Sequence, residues 1–227
     1  MEIFSDILCY ALTALAAYLL GSIPTGYLVA KAKGIDIRSV GSGNIGATNV
    51  FRILGKPAGI FVLLADAAKG FCACWLIPGL VLKLSNGNIG SRLELEIYFK
   101  ILEQLAIVAG IAAILGHNYT CWLKFKGGKG IATTAGVMIA LAPWAFLIVL
   151  TIFLLVAFGT RYVSLGAILA SFCLPFSVWI CRGTKTMIGV MAALGALAIY
   201  KHKANIKRLL NGTESRMGQK KKTEVAK

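Results

Sequence analysis

Apolar positions run in long blocks along this chain: Ile7 to Val29, Ala58 to Leu82, Leu102 to Leu115, Ile131 to Phe158, Val163 to Cys181 and Met187 to Tyr200. Blocks of this length, repeated from one end to the other, predict helices that cross a bilayer, and an amino-terminal signal peptide cannot account for them. Pro143 divides the longest block. A turn near Ala142-Pro143 makes two short spans of it and raises the expected count to seven. The first of these, Ile131 to Leu141, is about 17 Å long by helix rise and too short for ~30 Å of hydrocarbon, so it must be short, tilted or re-entrant and sheltered by neighbours. The expected fold class is all-α: a polytopic membrane helical bundle of about seven membrane-embedded helices, some short. It forms one domain over residues 1–227, with 213–227 a flexible basic tail.

Composition agrees and excludes some classes. Of 227 residues, 58% are hydrophobic and 15% charged, against about 25% charged in an average soluble domain. The six cysteines sit mostly inside apolar blocks without C-x-x-C pairs and read as small core residues. Asp66 and Lys69, three apart inside the second block, are expected to pair and face the bundle interior, because lone charge in a bilayer is costly. No metal or cofactor is expected, since His117 and His202 lack carboxylate or cysteine companions at ligand spacing.

Charge orients the chain. The connection from Ala30 to Pro57 holds Lys31, Lys33, Arg38, Arg52 and Lys56 against Asp36, whereas that from Lys83 to Ile97 balances Lys83 and Arg92 against Glu94 and Glu96. The first is expected in the cytoplasm and the second outside, with the amino terminus outside and the basic tail inside. Between Glu103 and Glu214 there is no carboxylate, while ten Lys and Arg fall in that interval. Whatever is handled there is expected to be anionic. Nucleic acid is excluded as a partner because aromatic residues do not interleave with the charges.

Three polar stretches carry candidate chemistry. In "SVGSGNIGATNVFR" (Ser39 to Arg52), the small residues let backbone N–H groups converge on an anion, with Ser42, Gly43, Asn44, Thr48 and Asn49 as neutral partners and Arg52 as a bidentate one. The stretch reads as too rich in small residues for a packed helix. A plain glycine-rich turn is the alternative. In "GHNYTCWLKFKGGKG" (Gly116 to Gly130), Lys126, Gly127, Gly128 and Lys129 precede an expected helix start and suit a second phosphate. A basic interfacial loop anchored by Trp122 and Phe125 is the alternative, and His117 reads equally as an interfacial hydrogen-bonding residue. In "KHKANIKRLLNGTE" (Lys201 to Glu214), His202 and Asn205 lie one helical turn apart, and a histidine there can move a proton near neutral pH.

With "GSIPTGYLVAK" (Gly21 to Lys31) and "RYVSLGA" (Arg161 to Ala167), these stretches resemble the acyl-phosphate:glycerol-3-phosphate acyltransferase family of bacterial inner membranes, in order and spacing over nearly the whole chain. Thr120 stands where the family carries proline or serine. The resemblance implies transfer of a fatty acyl group from acyl-phosphate to the 1-hydroxyl of sn-glycerol 3-phosphate, giving lysophosphatidic acid and phosphate. It implies Ser42 and Arg52 at the acyl-phosphate, the Lys126 to Lys129 loop around glycerol 3-phosphate, Ser164 completing the phosphate site, and His202 with Asn205 near the reacting centre. Glu214 is expected to tie the tail to basic loops. Expected partners are the two substrates, membrane lipid and an enzyme that produces acyl-phosphate. The general base is left between His202 and a substrate phosphate oxygen. The competing class is a transporter of phosphate or an organophosphate.

Overall fold

The computed structural model describes the backbone over residues 2–84 and 92–218 and side chains over 7–84 and 95–218. Among the described residues every regular element is helical: α1 (Glu2–Ser22), α2 (Thr25–Lys31), α3 (Ala47–Leu54), α4 (Lys56–Leu84), α5 (Arg92–Asn118), α6 (Ile131–Leu141), α7 (Pro143–Thr160), α8 (Val163–Ile180), α9 (Lys185–Lys201) and α10 (Lys203–Leu210). Five stretches are long and apolar enough to cross a membrane, namely Ile7–Lys31, Lys56–Leu84, Leu95–Leu123, Pro143–Thr160 and Val163–Ile180. The shorter α6 and α9 complete the expected seven. The balanced connection expected between Lys83 and Ile97 is largely helix at both ends, and residues 85–91 lie outside the described residues.

Two prolines break apolar blocks, and only one break was expected. At Ala142-Pro143, α6 ends and α7 begins, as the missing proline N–H and the clash with the preceding residue require. The block Ile7 to Val29 is also broken, because α1 stops at Ser22 and α2 starts at Thr25, on either side of Ile23-Pro24. A second correction concerns the glycine-rich stretch, whose last third does form a packed helix: α3 buries Asn49 and Val50.

The chain divides into two compact units, residues 1–143 and 144–227. In the first, α1 packs on α5 and α4, while α4 packs on α5, α6, α2 and α3. Short α6 is sheltered by α4 through two close backbone approaches: a Cβ on Gly70 would strike the Thr133 carbonyl, and one on Gly136 the Ala67 carbonyl. Small residues at such crossings substitute contact for the hydrophobic drive that lipid does not supply. Asp66 and Lys69 meet in this unit as expected, 2.8 Å apart and almost fully buried. In the second unit α8 packs on α9, and α10 touches both. Of the cysteines, Cys9 and Cys74 are buried as expected, but Cys181 is exposed.

Candidate active site

The loop from Ile37 to Gly46 is held from inside by one asparagine. Asn49 is 2% exposed. Its Nδ2 donates to the carbonyls of Ile37 (3.2 Å), Val40 (3.1 Å) and Asn44 (3.0 Å), and its Oδ1 accepts the N–H of Ser42 at 2.9 Å. The Gly43 N–H goes to the Val40 carbonyl and the Gly46 N–H to Asn44 Oδ1. This corrects the expected anion nest: the N–H groups of residues 42, 43 and 46 are used within the loop, and Asn49 is its scaffold instead of a free donor. Gly41 and Gly43 have φ of +64° and +70°, which side-chain-bearing residues rarely adopt. Ahead of the loop, two hydrogen bonds from the Arg38 guanidinium and one from its backbone N–H hold the Asp36 carboxyl down at about 2.

What remains outward is side chain. Ser42, Thr48 and Arg52 are exposed, and Thr48 and Arg52 lie one turn apart on the solvent face of α3. That helix begins after Gly46 without a side-chain cap.

The second loop is built on the end of α5. The Gly127 N–H donates to the Asn118 carbonyl (3.2 Å) and the Gly128 N–H to the His117 carbonyl (3.0 Å). A Cβ on Gly127 would strike the His117 carbonyl, and one on Gly128 would fall on the His117 ring at Nε2. The close approach of His117 therefore demands these glycines. Lys124 and Phe125 both adopt positive φ (53° and 59°), a costly turn for residues with side chains. It leaves Lys126 exposed and Lys129 half-buried, and α6 starts directly after Gly130 with no side-chain cap. Thr120, at the departure from the family pattern, is buried and donates its hydroxyl to the Ser22 carbonyl at 2.6 Å.

Beneath this loop lies a cluster that the sequence reading only half found. Lys69 Nζ contacts Asp66 Oδ1 at 2.8 Å, the Ile23 carbonyl at 2.9 Å and His117 Nδ1 at 3.0 Å. Thr25 Oγ1 donates to Asp66 Oδ1 at 3.1 Å. His117 and Thr25 stand 48 and 41 residues from their partners, so no local spacing signals them.

In the second unit two of the candidate site residues, Ser164 and Asn205, meet on one carboxylate. Glu214 accepts from Ser164 Oγ (2.9 Å) and Asn205 Nδ2 (2.8 Å) on Oε1, and from Arg208 Nε (2.6 Å) on Oε2. Burial pushes the Glu214 carboxyl up, but the hydrogen bonds from Arg208, Asn205 and Ser164 outweigh it and hold the group below the usual range. Glu214 does tie the chain end down, through Arg208 of its own segment, and it engages Ser164 and Asn205 as well. The stretch expected to be flexible from 213 thus starts with a bonded turn, in which the Met217 N–H also reaches the Arg161 carbonyl at 2.8 Å. Residues 219–227 lie outside the described residues. His202 is 3% exposed and forms the junction of α9 and α10, with the Asn205 N–H on its carbonyl at 2.8 Å. Its Nδ1 lies 2.8 Å from the Ala198 carbonyl. A carbonyl only accepts, so Nδ1 carries a proton.

A helical protein with five stretches long and apolar enough to cross a membrane, joined by basic, glycine-rich loops, has the architecture of a multi-pass integral-membrane protein. The model of the glycerol-3-phosphate acyltransferase family matches residues 11–212, and this chain belongs to that family. It is 44% identical to the glycerol-3-phosphate acyltransferase of Geotalea daltonii, covering 88% of this chain and 94% of that protein. With that of Clostridioides difficile it shares 43% identity over 97% of this chain and 100% of the other. Among solved structures it is similar to PlsY (YgiH), an integral membrane glycerol 3-phosphate acyltransferase. The glycerol 3-phosphate form is 37% identical, with TM-score 0.78 over 92% of this chain and 96% of that one. The lysophosphatidic acid form gives TM-score 0.74 at 36% identity, over 94% and 96%.

Proposed function

We propose that this protein transfers a fatty acyl group from acyl-phosphate to the 1-hydroxyl of sn-glycerol 3-phosphate, releasing phosphate and 1-acyl-glycerol 3-phosphate, the first acylation of phospholipid synthesis. The observation that carries the reading is the pair of PlsY forms, with glycerol 3-phosphate and with lysophosphatidic acid, in a relative whose fold this chain shares. The acyl-phosphate donor is supported by the motif resemblance and by a missing dyad. Soluble-headed acyltransferases that use acyl-CoA carry H-x-x-x-x-D, whereas here His117 is followed five on by Trp122 and His202 by Lys207.

Acyl-phosphate is a mixed anhydride with a good leaving group, so positioning and charge stabilisation suffice and no acyl-enzyme is needed. Ser42, Thr48 and Arg52 engage the donor phosphate on a loop that Gly43, Asn44 and Asn49 hold in shape. Lys126 and Lys129, presented by Gly127 and Gly128, take the phosphate of glycerol 3-phosphate. The 1-hydroxyl oxygen attacks the acyl carbonyl carbon, the bond from that carbon to the phosphate oxygen breaks, and phosphate leaves. The hydroxyl proton goes to a base that the motif resemblance leaves between His202 and a substrate phosphate oxygen. Ser164 and Asn205 act through Glu214, which holds both.

The reading includes one acyltransferase domain over 1–227 with the amino terminus outside and the carboxy terminus in the cytoplasm of a bacterial inner membrane, on the lysine and arginine asymmetry of the connections. An enzyme that makes acyl-phosphate is its functional partner. The test sets it against transport: purified protein in detergent micelles should form lysophosphatidic acid, and in sealed vesicles it should carry no glycerol 3-phosphate flux. Flux without product would overturn the reading in favour of an organophosphate transporter.

A further inference from the structure

The buried Asp66, Lys69 and His117 cluster has no part in the chemistry above, and its geometry assigns one histidine tautomer. Lys69 sits 2.8 Å from a carboxylate and is an ammonium with three hydrogens and no lone pair. Its three neighbours are Asp66 Oδ1, the Ile23 carbonyl and His117 Nδ1, so Nδ1 must accept. Asp66 Oδ1 stands farther from that nitrogen, at 3.7 Å. With Nδ1 accepting, the ring proton is on Nε2, and Nε2 is the atom that a Cβ at Gly128 would strike.

We propose that Asp66 and Lys69 are positioning residues for glycerol 3-phosphate: they hold His117 as the neutral Nε2–H tautomer beneath the Gly127–Lys129 loop, so that a donor and not a lone pair faces the anion-binding side. The other tautomer would turn electron density toward a phosphate. The break at Pro24 is part of the device. It presents the Ile23 carbonyl to Lys69, and it starts α2 at Thr25, whose hydroxyl completes the Asp66 shell. Every member is nearly sealed from solvent, Asp66 at 2%, Lys69 at 6% and His117 at 5% exposure. A buried charged pair is weak evidence of added stability, which leaves a functional reason to keep it.

The inference rests on the acyltransferase reading for the ligand's identity but not for the tautomer. The chain has two histidines, so full-length protein labelled with 13C,15N-histidine in lipid gives two ring signals, and a His202→Gln sample identifies that of His117. The expected result at pH 7 is an Nε2–H tautomer whose Nε2 resonance moves when glycerol 3-phosphate is added. An Nδ1–H ring, an imidazolium, or an Nε2 signal indifferent to glycerol 3-phosphate overturns the proposal. A double variant, Asp66→Asn with Lys69→Met, removes both charges together so that no lone charge is buried. It should raise KM for glycerol 3-phosphate roughly ten-fold and leave KM for the acyl donor unchanged. Equal shifts in both KM values, or in neither, would overturn the positioning role. If the double variant does not fold, the ring signals of the intact protein decide. Wild-type protein that acylates glycerol 3-phosphate from no donor would sink the functional reading while leaving the tautomer result standing.

Discussion

The two histidines, one in each compact unit, are buried to nearly the same degree and meet opposite partners. His117 is 5% exposed and His202 3%, yet Nδ1 accepts from Lys69 in the first and donates to the Ala198 carbonyl in the second. One partner has only hydrogens to give and the other only lone pairs, and that difference decides whether Nδ1 accepts or donates. On the proposed roles, His117 suits holding an anion and His202 suits taking a proton. Identical side chains at equal burial are given different work by a single neighbour.

The largest expected effect breaks the base side of this contrast. His202→Ala should lower kcat by about 10² to 10⁴ and remove the neutral-pH limb of the rate profile. An unchanged profile shape at reduced rate would hand the proton to a substrate phosphate oxygen instead. Arg52→Lys keeps the charge but loses the planar fork, and activity should fall by roughly 10- to 100-fold, the range of a charged hydrogen bond. Near wild-type turnover would remove Arg52 from the site.

Gly128→Ala sharpens the other side, because its methyl falls on His117 Nε2. Overpacking of this kind costs about 1–3 kcal/mol, so the melting temperature should drop while KM for glycerol 3-phosphate rises more than KM for the donor. A variant as stable as wild type would contradict the close approach.

The smallest effect concerns Glu214. Its folded pKa lies below the ordinary value of 4.5, so its stabilising contribution is complete above that pH and is lost as pH falls through the folded value. Glu214→Gln should change activity only a few-fold at pH 7 and flatten the acid side of the unfolding curve. Parallel acid unfolding of variant and wild type would deny the three hydrogen bonds their role.

Legibility from sequence followed the range of each interaction. The split at Pro143 could be read because a proline lacking an N–H ends a helix locally, and the start of α6 followed from the glycines before it. The same rule applied at Pro24, but apolar residues on both sides and a carbonyl partner 46 residues away hid the break. Asp66 and Lys69 were legible as a pair by their three-residue spacing, whereas His117 joins them only in the folded chain. Asn49 was misread because an asparagine among glycines serves equally as a ligand donor or a loop scaffold. Its burial and four filled hydrogen bonds decide the matter, and neither is written in the local pattern.

The central claim is that this chain joins acyl-phosphate to glycerol 3-phosphate, and one assay tests it most directly. Purified full-length protein is mixed with glycerol 3-phosphate and either acyl-phosphate or acyl-CoA, and lysophosphatidic acid and inorganic phosphate are followed together. The account predicts both products in equal amounts from acyl-phosphate and none from acyl-CoA. Lysophosphatidic acid formed from acyl-CoA, or from acyl-phosphate without matching phosphate, would contradict it.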